Sequence, residues 1–202
     1  MENNKTWKIP KAVVALAFLA PFMYLIWAGL TSHLGADPVE KVLHTAGDWT
    51  FNFLLLAIAA RTLSNLPYLK WISGYHKAAG LSAFFYATLH FLTYAAADQD
   101  FSISDIIEDA TKHTRIIFGA LAYLLIASSV VMMVPVILRR IGFTRIKGLH
   151  KAVVYPAATS AVIHYVWLVK KDVRTPLIYA AIFAALAVYR AITKLTGEKR
   201  PV

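Results

Sequence analysis

Four histidines occupy two segments that repeat one spacing. His76 and His90 are fourteen residues apart in GYHKAAGLSAFFYATLHF, and His150 and His164 are fourteen apart in GLHKAVVYPAATSAVIHYVW. Fourteen residues of α-helix rise about 21 Å and complete nearly four turns, so both imidazoles of a pair leave the same face. Neutral imidazole is a ligand of heme iron. Two such helices side by side therefore predict two facing histidine pairs, and the chemistry of an electron conduit through heme.

The composition of the chain is that of a polytopic membrane protein. Hydrophobic residues make up 58% of the 202 residues, charged residues only 16%, and the mean hydropathy is +0.56. These values are too apolar for a soluble domain. The net charge of +10 would suggest nucleic acid in a soluble protein, but here the cations cluster in short connecting segments. The sequence therefore predicts contact with membrane lipid and no nucleic-acid binding.

The chain contains no cysteine. This excludes disulfides, cysteine-ligated iron–sulfur clusters and covalent attachment of heme through C-x-x-C-H. Any heme is therefore expected to be held non-covalently. Lys5, Lys8 and Lys11 precede the first apolar run, which is long and lacks an A-x-A cleavage site, so we expect a retained first helix rather than a signal peptide.

Apolar runs predict an all-α protein, a six-transmembrane-helix bundle in a single domain over residues 1–202. The predicted spans are residues 12–30, 49–66, 77–97, 116–138, 152–169 and 176–192.

Six spans place both termini on the same side of the membrane. The N-terminus, the Trp71 region, the Arg139 loop and the tail are basic, whereas the loops around Asp37 and Asp98 are acid-rich. Both termini are therefore predicted to face the cytoplasm. The connection Lys170–Arg174 runs against this pattern.

His90 and His164 are the strongest ligand candidates, because both fall at the same predicted depth inside a span, where an ionisable residue is costly. The alternative is that each histidine only bonds a neighbouring carbonyl. His76 and His150 fall at the predicted cytoplasmic edge.

Arg139 and Arg140 lie in the most basic loop, RRIGFTRIKGLHK. Membrane topology is enough to explain them. The alternative is that they hold heme propionates or a flavin phosphate through charge-assisted hydrogen bonds.

Four motifs occur in order along the chain, and together they resemble the MsrQ (YedZ) family: LGADPVEKVLHTAGDW, GLSAFFYATLHFLTY, GLHKAVVYPAATSAVIHYVW and TPLIYA. That family comprises heme-binding membrane subunits of bacterial periplasmic methionine sulfoxide reductase systems, and it is grouped with ferric-reductase-like transmembrane domains. The resemblance implies a ferric-reductase-like bundle in the bacterial inner membrane, with heme b and FMN as cofactors. It implies a periplasmic molybdopterin-containing methionine sulfoxide reductase catalytic subunit as partner, and electrons from the quinone pool or a cytoplasmic flavin reductase.

Carried over by motif, the family's heme histidines are His90 in ATLH, His150 in GLHK and His164 in VIHY. His76 departs from the family pattern, in which a basic residue often stands at this position. Its presence makes the chain resemble a two-heme arrangement, so the resemblance leaves one heme or two open.

An electron-transfer membrane subunit is the function that these patterns favour. Bis-histidine ligation leaves no open iron position, so the heme passes electrons rather than activating oxygen. The chain has no G-x-G-x-x-G motif and no set of residues for reducing a sulfoxide, so we expect catalysis on a partner. One alternative is a stand-alone two-heme ferric reductase or cytochrome b. Another, of a different class, is a histidine-lined metal or proton transporter.

Overall fold

The computed structural model describes residues 10–169 and 172–196, and every element of regular structure in these ranges is helical, which confirms the all-α prediction. The helices are α1 (Lys11–Phe18), α2 (Ala20–Leu30), α3 (Pro38–Leu63), α4 (His76–Ala97), α5 (Ile103–Lys112), α6 (Thr114–Val131), α7 (Pro135–Ile141), α8 (Phe143–Leu168) and α9 (Arg174–Leu195), with a 3₁₀ segment at Pro67–Tyr75. Lys5, Lys8, Lys170 and the tail after Thr196 lie outside the described residues.

Within the described ranges, three helices are long and apolar enough to cross a membrane: α3, α6 and α9. A fourth span results if α1 and α2, bent by 43° relative to each other, form one broken span. The other two long helices, α4 with 22 residues and α8 with 26, carry the four paired histidines and are not among these candidate spans. The predicted count of six spans requires that these two also cross, and it stays a prediction.

α3 begins at Pro38, whereas the apolar run alone predicts a start near Trp49. Asp37 is the N-cap, and its carboxylate accepts a hydrogen bond of 2.9 Å from the Glu40 amide. Proline suits the first helical position because the amide it lacks has no partner there. The prediction relied on apolar residues alone, so it did not include the polar first section of α3.

α8 also begins earlier than predicted, at Phe143 rather than near Ala152. It follows Gly142, whose φ of 91° lies in the left-handed region that glycine adopts without strain. The predicted helix 116–138 is divided in turn, since α6 ends at Val131 and Pro135 starts α7. As a result, His150 lies within a helix that extends through the predicted basic loop.

The predicted helix 12–30 is interrupted at Leu19, where the buried Tyr86 of α4 reaches it. The Tyr86 hydroxyl donates to the Phe18 carbonyl and accepts from the Phe22 amide, both at 3.0 Å. In a continuous helix these two backbone groups would bond each other. Insertion of a side chain into the hydrogen-bond ladder, next to Pro21, accounts for the bend.

α3 packs closely against α4, and α6 packs closely against α8. α4 also contacts α6, while α9 contacts both α3 and α8. The pairing of the histidines was predicted on the condition that α4 and α8 lie side by side; in the structure these two helices are not among the closely packed pairs of described helices. Their separation leaves room for cavities between them.

Candidate functional site

His90 of α4 and His164 of α8 face each other in the interior of the bundle. Their ring centroids are 6.2 Å apart, and the ring planes make an angle of 83°. Both side chains line one cavity of about 460 Å³, which we call the His90 cavity. Its size is within the range of small-molecule and cofactor sites, about 300–1,000 Å³.

Backbone carbonyls fix the orientation of both rings. The Nδ1 atom of His90 lies 2.9 Å from the Leu43 carbonyl on α3, and Nδ1 of His164 lies 2.7 Å from the Arg115 carbonyl on α6. A carbonyl oxygen only accepts, so each Nδ1 carries the proton and donates. The Nε2 atom of each neutral ring is then left with the lone pair that binds a metal.

Two glycines make room for these imidazoles. A Cβ atom on Gly47 of α3 would lie 3.2 Å from Nδ1 of His90, and one on Gly119 of α6 would lie 2.8 Å from Nδ1 of His164. Each ring therefore lies directly against the backbone of the helix that also accepts its hydrogen bond. Neither glycine was among the residues predicted from the sequence, because the contact joins segments distant in the chain.

The His90 cavity also contains charged groups that were not predicted as site residues. Asp48 of α3 lines it, and the Tyr165 hydroxyl of α8 donates to the Asp48 carboxylate at 2.9 Å. Arg115 lines the same cavity. The sequence prediction placed Asp48 in a loop because α3 was expected to begin only after it.

A second cavity, of about 420 Å³, is lined by His76 and His150, and we call it the His76 cavity. His76 contacts the Ser73 carbonyl through Nδ1, so its Nε2 also holds the lone pair. Ile126 of α6, only 5% exposed, lines both cavities. The fourteen-residue spacing thus corresponds to two histidine pairs around two adjacent cavities.

The His76 cavity is strongly basic. No carboxylate is among its lining residues in the described ranges, whereas five cations are: Arg61, Lys77, Lys147, Lys151 and Arg190. The Arg190 guanidinium lies 5.5 Å from the centroid of the Tyr155 ring, and the buried Tyr155 hydroxyl has no hydrogen-bond partner in the described part of the chain. A buried hydroxyl and a cationic lining without acids both favour a ligand with anionic oxygens.

Arg139 and Arg140 do not join this group of cations. They lie in α7, outside the described lining of both cavities, and Arg139 Nε donates to the Pro135 carbonyl at 3.4 Å. Of the cations in the segment RRIGFTRIKGLHK, Lys147 and Lys151 line the cavity. Lysines of this segment reach the cavity because they lie on α8, which begins within the segment that was predicted to be a loop.

Comparison with known proteins identifies the chain. The model of the family described as "Ferric reductase like transmembrane component" matches residues 46–161. The protein-methionine-sulfoxide reductase heme-binding subunit MsrQ of Deinococcus radiodurans is 38% identical over 180 residues, which cover 89% of this chain and 88% of the relative. MsrQ of Herminiimonas arsenicoxydans is 34% identical over 182 residues, with 89% and 83% covered.

The chain therefore belongs to the ferric-reductase-like transmembrane proteins, a class of membrane proteins. Within that class it belongs to the MsrQ family, which confirms the resemblance found in the four sequence motifs.

Proposed function

We propose that this protein is a heme-containing electron-transfer subunit of a methionine sulfoxide reductase system. The observation that carries the proposal is the facing pair of His90 and His164, each oriented by a backbone carbonyl. A bound heme b takes up and releases single electrons. The relatives are named as heme-binding subunits, which agrees with this use of the pair.

The His90 cavity fits a metal held between two imidazoles. If a metal ion lies between two imidazoles, the distance between the two ring centroids is about 6 Å, which is the sum of two metal–nitrogen bonds of about 2.0 Å and the two distances from nitrogen to ring centre. The observed separation of the ring centroids is 6.2 Å. In the described residues, no group of three or more metal-binding side chains of His, Asp or Glu occurs. Two protein donors suit an iron whose other ligands come from a porphyrin, so His90 and His164 are the residues that would hold it.

In the His76 cavity we propose a second heme b with His76 and His150 as its ligands. The five cations and the Tyr155 hydroxyl would hold its carboxylates. The competing assignment is one heme in the protein, with FMN in this second cavity and its phosphate on the same cations. Arg139 and Arg140, predicted for this anion-binding role, remain candidates only for a ligand that extends beyond the cavity.

Electrons would enter on the cytoplasmic side, from quinol or a flavin reductase, and leave on the other side to a periplasmic molybdopterin-containing reductase that repairs oxidised proteins. This direction requires both termini to lie in the cytoplasm and the bundle to lie in the bacterial inner membrane. A cytoplasmic reporter fused after Val202 should be active, as should a periplasmic reporter fused at Asp100. The reverse pattern would invert the proposed electron path.

The stand-alone ferric reductase or cytochrome b uses the same two cavities and differs only in its electron acceptor. The histidine-lined metal or proton transporter differs in cofactor, because it needs no heme. Absorbance of the purified protein separates these classes, since a protein without a Soret band is not a heme protein.

Substitution of each axial candidate tests the proposal directly. His90→Ala and His164→Ala should each remove the same heme, because either change takes one ligand from one iron. Heme per chain is measured by pyridine hemochrome, with His33→Ala as the control, since His33 is exposed and stacks on Trp27. Full heme content and unchanged spectra in both single variants would refute the assignment.

A further inference from the structure

Asp48 and Asn52 lie one turn apart on α3, and each accepts a hydrogen bond from a tyrosine hydroxyl. One acceptor is a carboxylate and the other is a neutral amide. Asp48 accepts a hydrogen bond of 2.9 Å from the Tyr165 hydroxyl, and Asn52 accepts one of 2.7 Å from the Tyr179 hydroxyl. The rings of Tyr165 and Tyr179 are neighbours, with centroids 6.0 Å apart. A neutral amide oxygen is therefore sufficient to accept a tyrosine hydroxyl at this interface of α3, α8 and α9.

Position relative to the cavity distinguishes the two residues. Asp48 lines the His90 cavity, directly after Gly47, which lies against the His90 ring. Asn52 is not among the described lining residues of either cavity. A carboxylate inside a membrane helix bundle is costly, and such residues are usually functional. The carboxyl side chain of Asp48 thus lies at the cavity, and the neutral amide of Asn52 lies away from it.

No ion pair within the described residues neutralises Asp48. Two other carboxylates line this cavity. Asp98 is exposed, and Asp109 of α5 accepts a hydrogen bond from the Tyr94 hydroxyl of α4 and contacts the His113 ring. Tyr165 donates one neutral hydrogen bond to Asp48, which stabilises the anion without cancelling its charge. Arg115 also lines the described His90 cavity, but none of the ion pairs within the described residues joins it to Asp48.

We propose that Asp48 is a fixed negative charge that lowers the midpoint potential of the redox group held by His90 and His164. The inference rests on the proposed function. The heme that His90 and His164 would hold would supply a one-electron exchange, and its oxidised state would carry one more positive charge than its reduced state. A nearby anion stabilises the more positive, oxidised state, and the low dielectric of the bundle strengthens this effect. Asp48 thereby makes the group in the His90 cavity a better electron donor to the next acceptor.

The test is a spectroscopic redox titration of the heme-loaded protein and of Asp48→Asn. Asparagine keeps the shape and the acceptor oxygen, as Asn52 does, and removes only the charge. We expect normal heme content and a reduced-to-oxidised ratio about tenfold higher at a fixed ambient potential, which is about 59 mV for a one-electron couple. Asp98→Asn is the matched control, because it removes an exposed carboxylate from the lining of the same cavity and should shift the potential far less.

The variant Tyr165→Phe distinguishes the effect of the Asp48 charge from the effect of its hydrogen bond. It removes the hydrogen bond and keeps the carboxylate, so the potential should not rise with it. An unchanged potential in Asp48→Asn overturns the proposal, as does an equal rise in Tyr165→Phe. Loss of heme in Asp48→Asn also overturns it, because the role assigned is in the potential and not in binding. Wild-type protein without a heme absorbance would instead refute the proposed function itself.

Discussion

His164 lies so close to Gly119 that a methyl group on that glycine would be 2.8 Å from Nδ1 of the imidazole. One turn earlier, the Arg115 carbonyl of the same helix accepts the hydrogen bond from that nitrogen. α6 therefore positions His164 in two ways, by a hydrogen bond and by the absence of a side chain. α3 does the same for His90 through Leu43 and Gly47.

Gly119→Ala should displace His164 and reduce heme in the His90 cavity. A Cβ at 2.8 Å requires the ring or the helix to move, whereas the 3.2 Å contact at Gly47 allows a smaller adjustment. Heme per chain should therefore fall more in Gly119→Ala than in Gly47→Ala. Gly148→Ala is the control, since a Cβ there meets nothing within 4 Å. Equal heme content in the Gly119 and Gly148 variants would contradict the packing argument.

The second heme is tested by His76→Ala. If His76 and His150 hold a heme of their own, wild type should contain about two hemes per chain and the variant about one, because the pair has lost one of its two donors. Pyridine hemochrome and flavin quantitation on the same samples give both cofactor ratios. A ratio of one heme in both proteins would refute the second heme, and flavin in the same samples would favour the competing assignment of FMN.

Tyr86→Phe should destabilise the protein by about 1–3 kcal/mol, because it leaves the part-buried backbone groups of Phe18 and Phe22 without their partner. The ring should keep its stacking on Phe53, at 5.4 Å between centroids, so the variant isolates the hydroxyl. Thermal and denaturant unfolding in detergent measure the change. Tyr68→Phe, at a residue 90% exposed, is the control, and equal stability of the two variants would be the contrary result.

The attachment of α5 should weaken in acid. The Tyr94 hydroxyl, at 2.6 Å, and then the His113 ring hold the pKa of the Asp109 carboxyl below its ordinary value of 3.8. A depressed folded-state pKa means that this stabilisation is present above pH 3.8 and is lost as the pH falls through the lower value.

A spin label on Ser104→Cys reports this change, because the chain has no cysteine of its own. Label mobility should rise as the pH falls below 3.8. In Asp109→Ala, which removes the acceptor of the Tyr94 hydroxyl, the label should be mobile at every pH, and Asp105→Ala on the same helix should behave as wild type. A label that stays equally immobile in acid in the wild-type protein would show that Asp109 does not fasten α5.

The sequence by itself determined the class and the histidine pairs. Apolar runs follow from contact with lipid, which acts on each helix separately, so they are visible without a tertiary structure. The spacing of His76 from His90, and of His150 from His164, is likewise a property of one helix. These local properties were enough to predict an all-α membrane protein with two histidine pairs, and the motifs around them were enough to indicate the family.

Only the tertiary structure decided what surrounds those pairs. Asp48 reaches the His90 cavity because α3 begins at a capped proline, and Tyr165 meets it across a separation of 117 positions in the chain. The glycines and carbonyls that fix the imidazoles belong to α3 and α6, while Arg190 and Tyr155 come together from α9 and α8. Hydrogen bonds and close packing between distant segments have no periodicity along a single chain, so the sequence carried no pattern from which they could be read.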